Sequence, residues 1–201
     1  MKLDPFYPIV SSSGWIARIV PLGVKLVQLR IKDLGGDKLR QEIAVAKAIC
    51  DTHGCTLVIN DHWEIAIEEK CGFLHLGQED LDEADLDDIR KAGLRLGVST
   101  HDGDELDRAL SVSPDYIAIG PVYPTQSKEV KFAPQGLDKV SGWKKAIGDL
   151  PLVAIGGITL ERAEGVFLHG ADSIAVLSDV TGHTDPERRA TAWIDGTAGR
   201  R

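Results

Sequence analysis

Short apolar runs recur along the chain at residues 5–10, 25–30, 57–59, 74–76, 94–98, 116–119, 152–155 and 174–177. Each is of strand length, and seven break off into a polar tag. The tags differ: Lys32-Asp33, Asn60-Asp61, Gly77-Gln78-Glu79-Asp80, Ser99-Thr100-His101, Gly120-Pro121-Val122-Tyr123-Pro124-Thr125, Gly156-Gly157-Ile158-Thr159 and Ser178-Asp179. Helical patterns lie between the runs. Leu39, Ile43, Ala46 and Cys50 make one apolar stripe, and further helices are expected at 63–69, 81–92, 102–112, 137–147, 159–168 and 186–194. Gly93 and Gly170 are placed to end two of them, and Asp185 with Pro186 to start the last.

Alternating strand and helix units imply a parallel sheet. Eight units predict a (β/α)8 TIM barrel, whose strands would gather the tags at one rim, where barrel enzymes place their active sites. An open doubly wound sheet is the alternative. The first turn, Ser11-Ser12-Ser13-Gly14, lacks the glycine pattern such a sheet uses for dinucleotides. Residues 1–201 are read as a single barrel domain with a frayed tail at 196–201. The longest connection without obvious structure, 121–135, reads as a lid or binding loop.

Charge changes the picture. The formal net charge of −8 speaks against nucleic-acid and anionic-membrane partners, so an anionic substrate would need local cations or a metal. Much of the acid sits in residues 79–88 and reads as a solvated helix start. Cys50, Cys55 and Cys71 have no metal or redox spacing and read as reduced thiols. Lys2 is followed by Asp4 and Pro5 rather than a sustained apolar run, so no secretory signal is expected and the placement is cytoplasmic. Homo-oligomerisation stays open.

Gln28, Arg30 and Lys32 alternate along the second strand and would share one face. They suit a phosphate or diphosphate; the alternative is an edge strand with snorkelling cations. Asp61 and Asp80 each follow a strand. Either could cap a helix, or the two could hold Mg²⁺ that keeps waters and bridges to phosphate oxygens. Gly156-Gly157 and Leu177-Ser178 follow strands seven and eight, the usual barrel phosphate position, although a tight turn alone would also use the glycines. Thr125, Ser127 and Lys128 lie in the long loop. His75 reads as a hydrogen-bonded core residue and His101 as a helix-start residue. There is no nucleophile–base triad and no zinc signature.

Seven stretches in order make the chain similar to the thiamine phosphate synthase (thiamine-phosphate pyrophosphorylase) family. They are Val27-Gln28-Leu29-Arg30-Ile31-Lys32-Asp33, Ile59-Asn60-Asp61, His75-Leu76-Gly77-Gln78-Glu79-Asp80, Gly97-Val98-Ser99-Thr100-His101, Pro124-Thr125-Gln126-Ser127-Lys128, Ala154-Ile155-Gly156-Gly157-Ile158 and Ala175-Val176-Leu177-Ser178. The resemblance implies an enzyme that joins hydroxymethylpyrimidine diphosphate to hydroxyethylthiazole phosphate, or its carboxylated form, releasing diphosphate. It implies that Gln28, Leu29, Arg30, Ile31, Lys32, Asn60, Ser99 and Lys128 bind the pyrimidine diphosphate, with Arg30, Lys32, Ser99 and Lys128 catalytic. It further implies Mg²⁺ on Asp61 and Asp80, and the thiazole phosphate on Thr125, Gln126, Ser127, Gly157, Leu177 and Ser178. Ser127 stands where the family often has Thr, and the first strand is followed by serines rather than Asp. The related thiazole tautomerase shares the barrel, but its acid–base His would fall at Pro121. A non-catalytic phosphate-ligand sensor on the same barrel is the reading from a different class.

Overall fold

The computed structural model describes residues 2–125 and 132–200. Eight strands pair in parallel in chain order: β1 (Phe6–Val10), β2 (Leu26–Leu29), β3 (Thr56–Asn60), β4 (Phe73–Leu76), β5 (Arg95–Thr100), β6 (Tyr116–Ile119), β7 (Leu152–Ile155) and β8 (Ser173–Val176). The sheet closes where Phe6, Tyr7 and Pro8 pair with Ile174, Ala175 and Val176, so the expected (β/α)8 barrel forms.

Strand alternation sorts the side chains into two cores. Tyr7, Leu26, Val58, Phe73, Tyr116, Val153 and Ala175 fill the interior. Phe6, Val27, Leu29, Ile59, Leu74, Val98 and Ile174 face the helices. A Cβ on Gly97 would sit 2.0 Å from the Tyr116 ring, so only glycine lets that phenol cross the interior. In the outer layer Phe6 stacks on Trp193 with ring centroids 5.4 Å apart. Burial of one such side chain contributes about 2–3 kcal/mol.

The helices α2 (Gly36–His53), α3 (Trp63–Glu68), α6 (Gly103–Ser111), α7 (Gly136–Ile147) and α8 (Leu160–Leu168) lie where the pattern predicts. The α2 stripe of Leu39, Ile43, Ala46 and Cys50 is buried as read. The single helix expected at 81–92 is instead two, α4 (Gln78–Glu83) and α5 (Leu86–Lys91). Ala84 is extended, and the Asp85 carboxylate accepts from the N–H groups of Asp87 and Asp88 at 3.0 and 2.9 Å, starting a new helix. A continuous helix would instead stack Asp82, Glu83, Asp85, Asp87 and Asp88 at like-charge spacings.

Two helices were not expected. α1 (Ser13–Ile19) is capped by Ser12, whose Oγ accepts from the Trp15 N–H at 3.3 Å, and α9 (Ser178–Thr181) is a single turn. The last helix, α10 (Pro186–Thr197), starts on Asp185 as read but runs further than the pattern showed. The tail expected at 196–201 begins within this helix. Thr197 is buried, and Arg200 pairs with Glu164 and lies over the Phe167 ring. Cys50, Cys55 and Cys71 are free and buried. Among the described residues no helix is long and apolar enough to cross a membrane.

Candidate active site

The tags meet at the C-terminal rim of the barrel, as the topology requires. Of the three residues expected to share a face of β2, only Gln28 lies within the strand, where it points inward and is buried; Arg30 and Lys32 follow beyond the strand end. The Arg30 N–H donates to the Val10 carbonyl at 2.8 Å, which carries the β1–β2 pairing one step past the strand. Leu29 packs in the outer shell; Ile31, in the same shell, reaches the edge of a cleft of about 310 Å³. Lys32, Asp61, Trp63, Asp80 and Glu83 line the rest of that cleft together with His62.

Asp61 and Asp80 face each other across the cleft. Asp61 has φ 65°, a left-handed conformation that only Asp and Asn tolerate readily among residues with a side chain. Its N–H is held by the His75 carbonyl at 3.0 Å, so the strained residue is fixed by the neighbouring strand. Asp80 sits in the first turn of α4 and accepts from the Gly77 N–H at 3.2 Å. Burial, and then the charge of Asp80, push the Asp61 carboxyl above the usual carboxylate range. Among the described residues the nearest cation, Lys32 Nζ, is 4.0 Å away and half exposed. No group of three or more His, Cys, Asp and Glu side chains is arranged to hold a metal ion among the described residues. Two carboxylates that repel each other fit a hard dication that takes its other ligands from water and phosphate.

Beneath the cleft, polar side chains cross the barrel interior. Gln28 Nε2 donates to the Tyr7 hydroxyl at 2.9 Å, which lies 3.1 Å from that of Tyr116. The Tyr116 hydroxyl is 2.7 Å from His75 Nδ1, and His75 Nε2 is 2.8 Å from Ser99 Oγ. His75 is thus the hydrogen-bonded interior residue it was read to be. Ser99 and Thr100 belong to β5 rather than to a loop after it. Ser99 faces inward; Thr100 faces out, donating to the Ala118 carbonyl and accepting from Trp143 Nε1. Gln78 Nε2 donates to the Ser99 carbonyl at 2.7 Å. Asn60 is 5% exposed and its Nδ2 has no hydrogen-bond partner among the described residues. A buried amide N–H without a partner is costly unless a ligand supplies one.

Gly157 and the Leu177–Ser178 pair lie at the ends of the adjacent strands β7 and β8. Gly157 has φ 62°, and a Cβ there would meet the Pro124 carbonyl oxygen at 2.4 Å. The loop after β6 is therefore pressed against the β7 turn. Val122 and Tyr123 donate main-chain bonds to Ile155 and Gly156, and Gln135 and Gly136 donate to Pro121 and Val122. Both ends of the long loop are held, and Phe132 stacks on His101 at 4.2 Å. Thr125 is half-buried in this loop; Gln126, Ser127 and Lys128 fall outside the described residues. Next to Ser178, Asp179 accepts from Arg189 Nε and Nη2 and from Trp193 Nε1, at 2.7 to 3.0 Å.

The sequence matches the family model for thiamine monophosphate synthase over residues 9–180. The chain belongs to the thiamine monophosphate synthase family. It is 58% identical over 198 residues to a thiamine-phosphate synthase of Rhizobium etli, covering 98% of this chain and 97% of that one. It is 50% identical over 188 residues to a thiamine-phosphate synthase of Neisseria meningitidis serogroup B, covering 94% and 92%. The solved thiamine phosphate pyrophosphorylase of Pyrococcus furiosus superposes with a TM-score of 0.85 at 22% identity, over 98% of this chain and 96% of that one, and shares its fold.

Within this family fold, sequence reasoning missed Tyr7 and Tyr116, which link Gln28 to His75, and Glu83, which lines the cleft. Period two does put Tyr7 and Tyr116 on inward positions. What it leaves out is the register that makes two residues 109 apart meet. Glu83 was hidden in the acidic run and only the break at Ala84 sets it at the rim.

Proposed function

We propose that this mouth carries out the family's reaction, thiamine-phosphate synthesis, by moving a hydroxymethylpyrimidine group from diphosphate to the nitrogen of hydroxyethylthiazole phosphate. The observation that carries the reading is the opposed Asp61–Asp80 pair beside Lys32, next to a buried Asn60 amide whose Nδ2 has no partner among the described residues. Asn60 and Gln28, with the main chain at Leu29 and Ile31, would hold the pyrimidine. Arg30, Lys32 and Lys128 would take up charge on the departing diphosphate, Arg30 as a fork and the lysines as point charges. Ser99 would face the reacting carbon–oxygen bond. Asp61 and Asp80 would hold Mg²⁺, which when bound supplies Lewis-acid charge to the phosphate oxygens. Thr125, Gln126, Ser127, Gly157, Leu177 and Ser178 would hold the thiazole phosphate.

The methylene C–O bond breaks, the electron pair leaves with diphosphate, and the thiazole nitrogen fills the vacant position; the carboxylated thiazole also loses carbon dioxide. No side chain needs to act as a nucleophile. The assignment is dissociative, because the groups available stabilise departing negative charge. We assign the reaction to the cytoplasm. Mixing both substrates with Mg²⁺ should yield thiamine phosphate and diphosphate. No product at any Mg²⁺ concentration would end this reading. At the tautomerase acid–base position stands Pro121, which has no titrating side chain, so the isolated carboxylated thiazole should not tautomerise faster than in buffer.

A further inference from the structure

We infer that Tyr7, Tyr116 and His75 form a one-way hydrogen-bond relay that fixes Ser99 as a hydrogen-bond donor into the mouth, which makes the three positioning residues for the reaction. The inference rests on the reading above that Ser99 faces the substrate.

The direction follows from the first link. An amide N–H only donates, so the Tyr7 oxygen accepts from Gln28 Nε2 at 2.9 Å. The Tyr7 proton then goes to the Tyr116 oxygen, 3.1 Å away, and the Tyr116 proton to His75 Nδ1 at 2.7 Å. Burial holds both phenols well above the ordinary tyrosine value, so both protons are present to be donated. With Nδ1 accepting, a neutral imidazole carries its proton on Nε2 and donates to Ser99 Oγ at 2.8 Å. Ser99 is thereby filled from the inside, and its own proton is turned to the other side, toward the mouth.

The framework holds these side chains in place. Tyr7 and Tyr116 meet edge-on at 89°, and Tyr116 also packs edge-on to Phe73 with centroids 5.5 Å apart. The His75 ring lies within 12° of parallel to Tyr116. Ser99 is pinned a second time, through its carbonyl, by Gln78 at 2.7 Å. A serine hydroxyl on its own rotates freely; one filled by a fixed imidazole is oriented before substrate arrives. Such preorganised donors stabilise charge that develops in the transition state without reorganising. If Gln28 presented its oxygen to Tyr7 instead, every link would reverse. His75 would carry its proton on Nδ1, and Ser99 would donate inward.

The two directions differ in the His75 tautomer, which nitrogen-15 NMR of histidine-labelled, substrate-free protein reads directly. The expected result is a proton on Nε2 and none on Nδ1. In Tyr116→Phe the tautomer preference should relax, and kcat should fall about tenfold with KM within about twofold, the worth of one oriented hydrogen bond. His75→Gln, which can still offer an N–H to Ser99, should retain more of kcat than His75→Leu. An Nδ1–H tautomer in the wild type overturns the relay while leaving the site reading intact, and so does an unchanged kcat in Tyr116→Phe. A wild-type protein that makes no thiamine phosphate removes the site reading, and the relay's purpose with it.

Discussion

Two sets of carboxylates stand at the same rim of this barrel and are treated in opposite ways. Asp179 is almost fully paired, by a two-pronged Arg189 and by the Trp193 indole. Arg189 also reaches both oxygens of Glu161 at 2.9 Å, and that contact holds the Glu161 carboxyl down to about 2. Asp61 and Asp80 are set against each other instead, and Asp61 is pushed up. The first set closes on itself and locks α9 and α10 to the barrel beside Ser178. In the second, Lys32 and Arg30 offset only part of the burial and like-charge cost among the described residues. Residue type is the same at both; the supply of cations differs. A carboxylate in a cleft whose charge is opposed by burial and by a like charge is a candidate for ligand binding.

The largest expected effect comes from equalising the two sets chemically. Asp61→Asn and Asp80→Asn each remove one charge at nearly constant shape, and asparagine tolerates the left-handed backbone at residue 61. Turnover at limiting Mg²⁺ should fall by about a thousandfold or more, as expected when a metal-held leaving group loses a ligand. Thermal stability of the Asp61→Asn protein without metal should equal or exceed that of the wild type, because like-charge repulsion and a desolvation penalty go with the charge. Melting curves and steady-state rates on the same samples decide it. Unchanged turnover in either variant rejects that residue as a ligand, and a marked loss of stability would make the pair structural.

The paired set should show the reverse. Arg189→Met leaves Asp179 behind with only the Trp193 indole as donor, at a site where both partners are mostly shielded. Stripping the partner from a shielded charge costs about 2–3 kcal/mol, slightly below the range for full burial. Urea unfolding should show that loss. Turnover should suffer chiefly as a weaker KM for the thiazole phosphate, since Ser178 adjoins the clasp. A variant as stable as the wild type would show that the clasp adds nothing to the fold.

Much of this contrast could be read along the chain, and the unread part has a physical cause. Asp61, Asp80 and Asp179 were all visible as acids following strands, because apolar runs with polar ends define a barrel rim. The face carrying Gln28 was visible from period two alone. Nothing local separates the carboxylate that is neutralised from the pair that is not. Arg189 and Trp193 reach Asp179 from α10, while Asp61 and Asp80 meet only through the β3–β4 pairing. The left-handed turn at Asp61 has no signature either, since Asp also serves as a helix cap in ordinary backbone. The break at Ala84 was missed because apolar periodicity continues across it while the competing cap at Asp85 does not register as periodicity. Tyr7 and Tyr116 are likewise long-range partners, and their meeting depends on the full closure of the barrel.

The smallest expected effect is in acid, and its sign separates the two sets most cleanly. Glu161 has its carboxyl lowered to about 2 by Arg189, from an ordinary value of 4.5. A lowered folded value means its stabilising contribution is fully present above about pH 4.5 and is lost as pH falls toward 2. Its side chain is 67% exposed, so solvent screening keeps that contribution below about 1 kcal/mol. Glu161→Gln should therefore be slightly less stable than the wild type at neutral pH and indistinguishable from it near pH 2. For Asp61 the sign is reversed. A raised folded value means a cost carried at neutral pH and relieved as pH falls through that value. Asp61→Asn should thus gain on the wild type at neutral pH and lose that advantage in acid, so the two difference curves approach zero from opposite sides. Urea unfolding of the three proteins across the acid range would record both. Curves of the same sign would mean that the rim carries one kind of carboxylate rather than two.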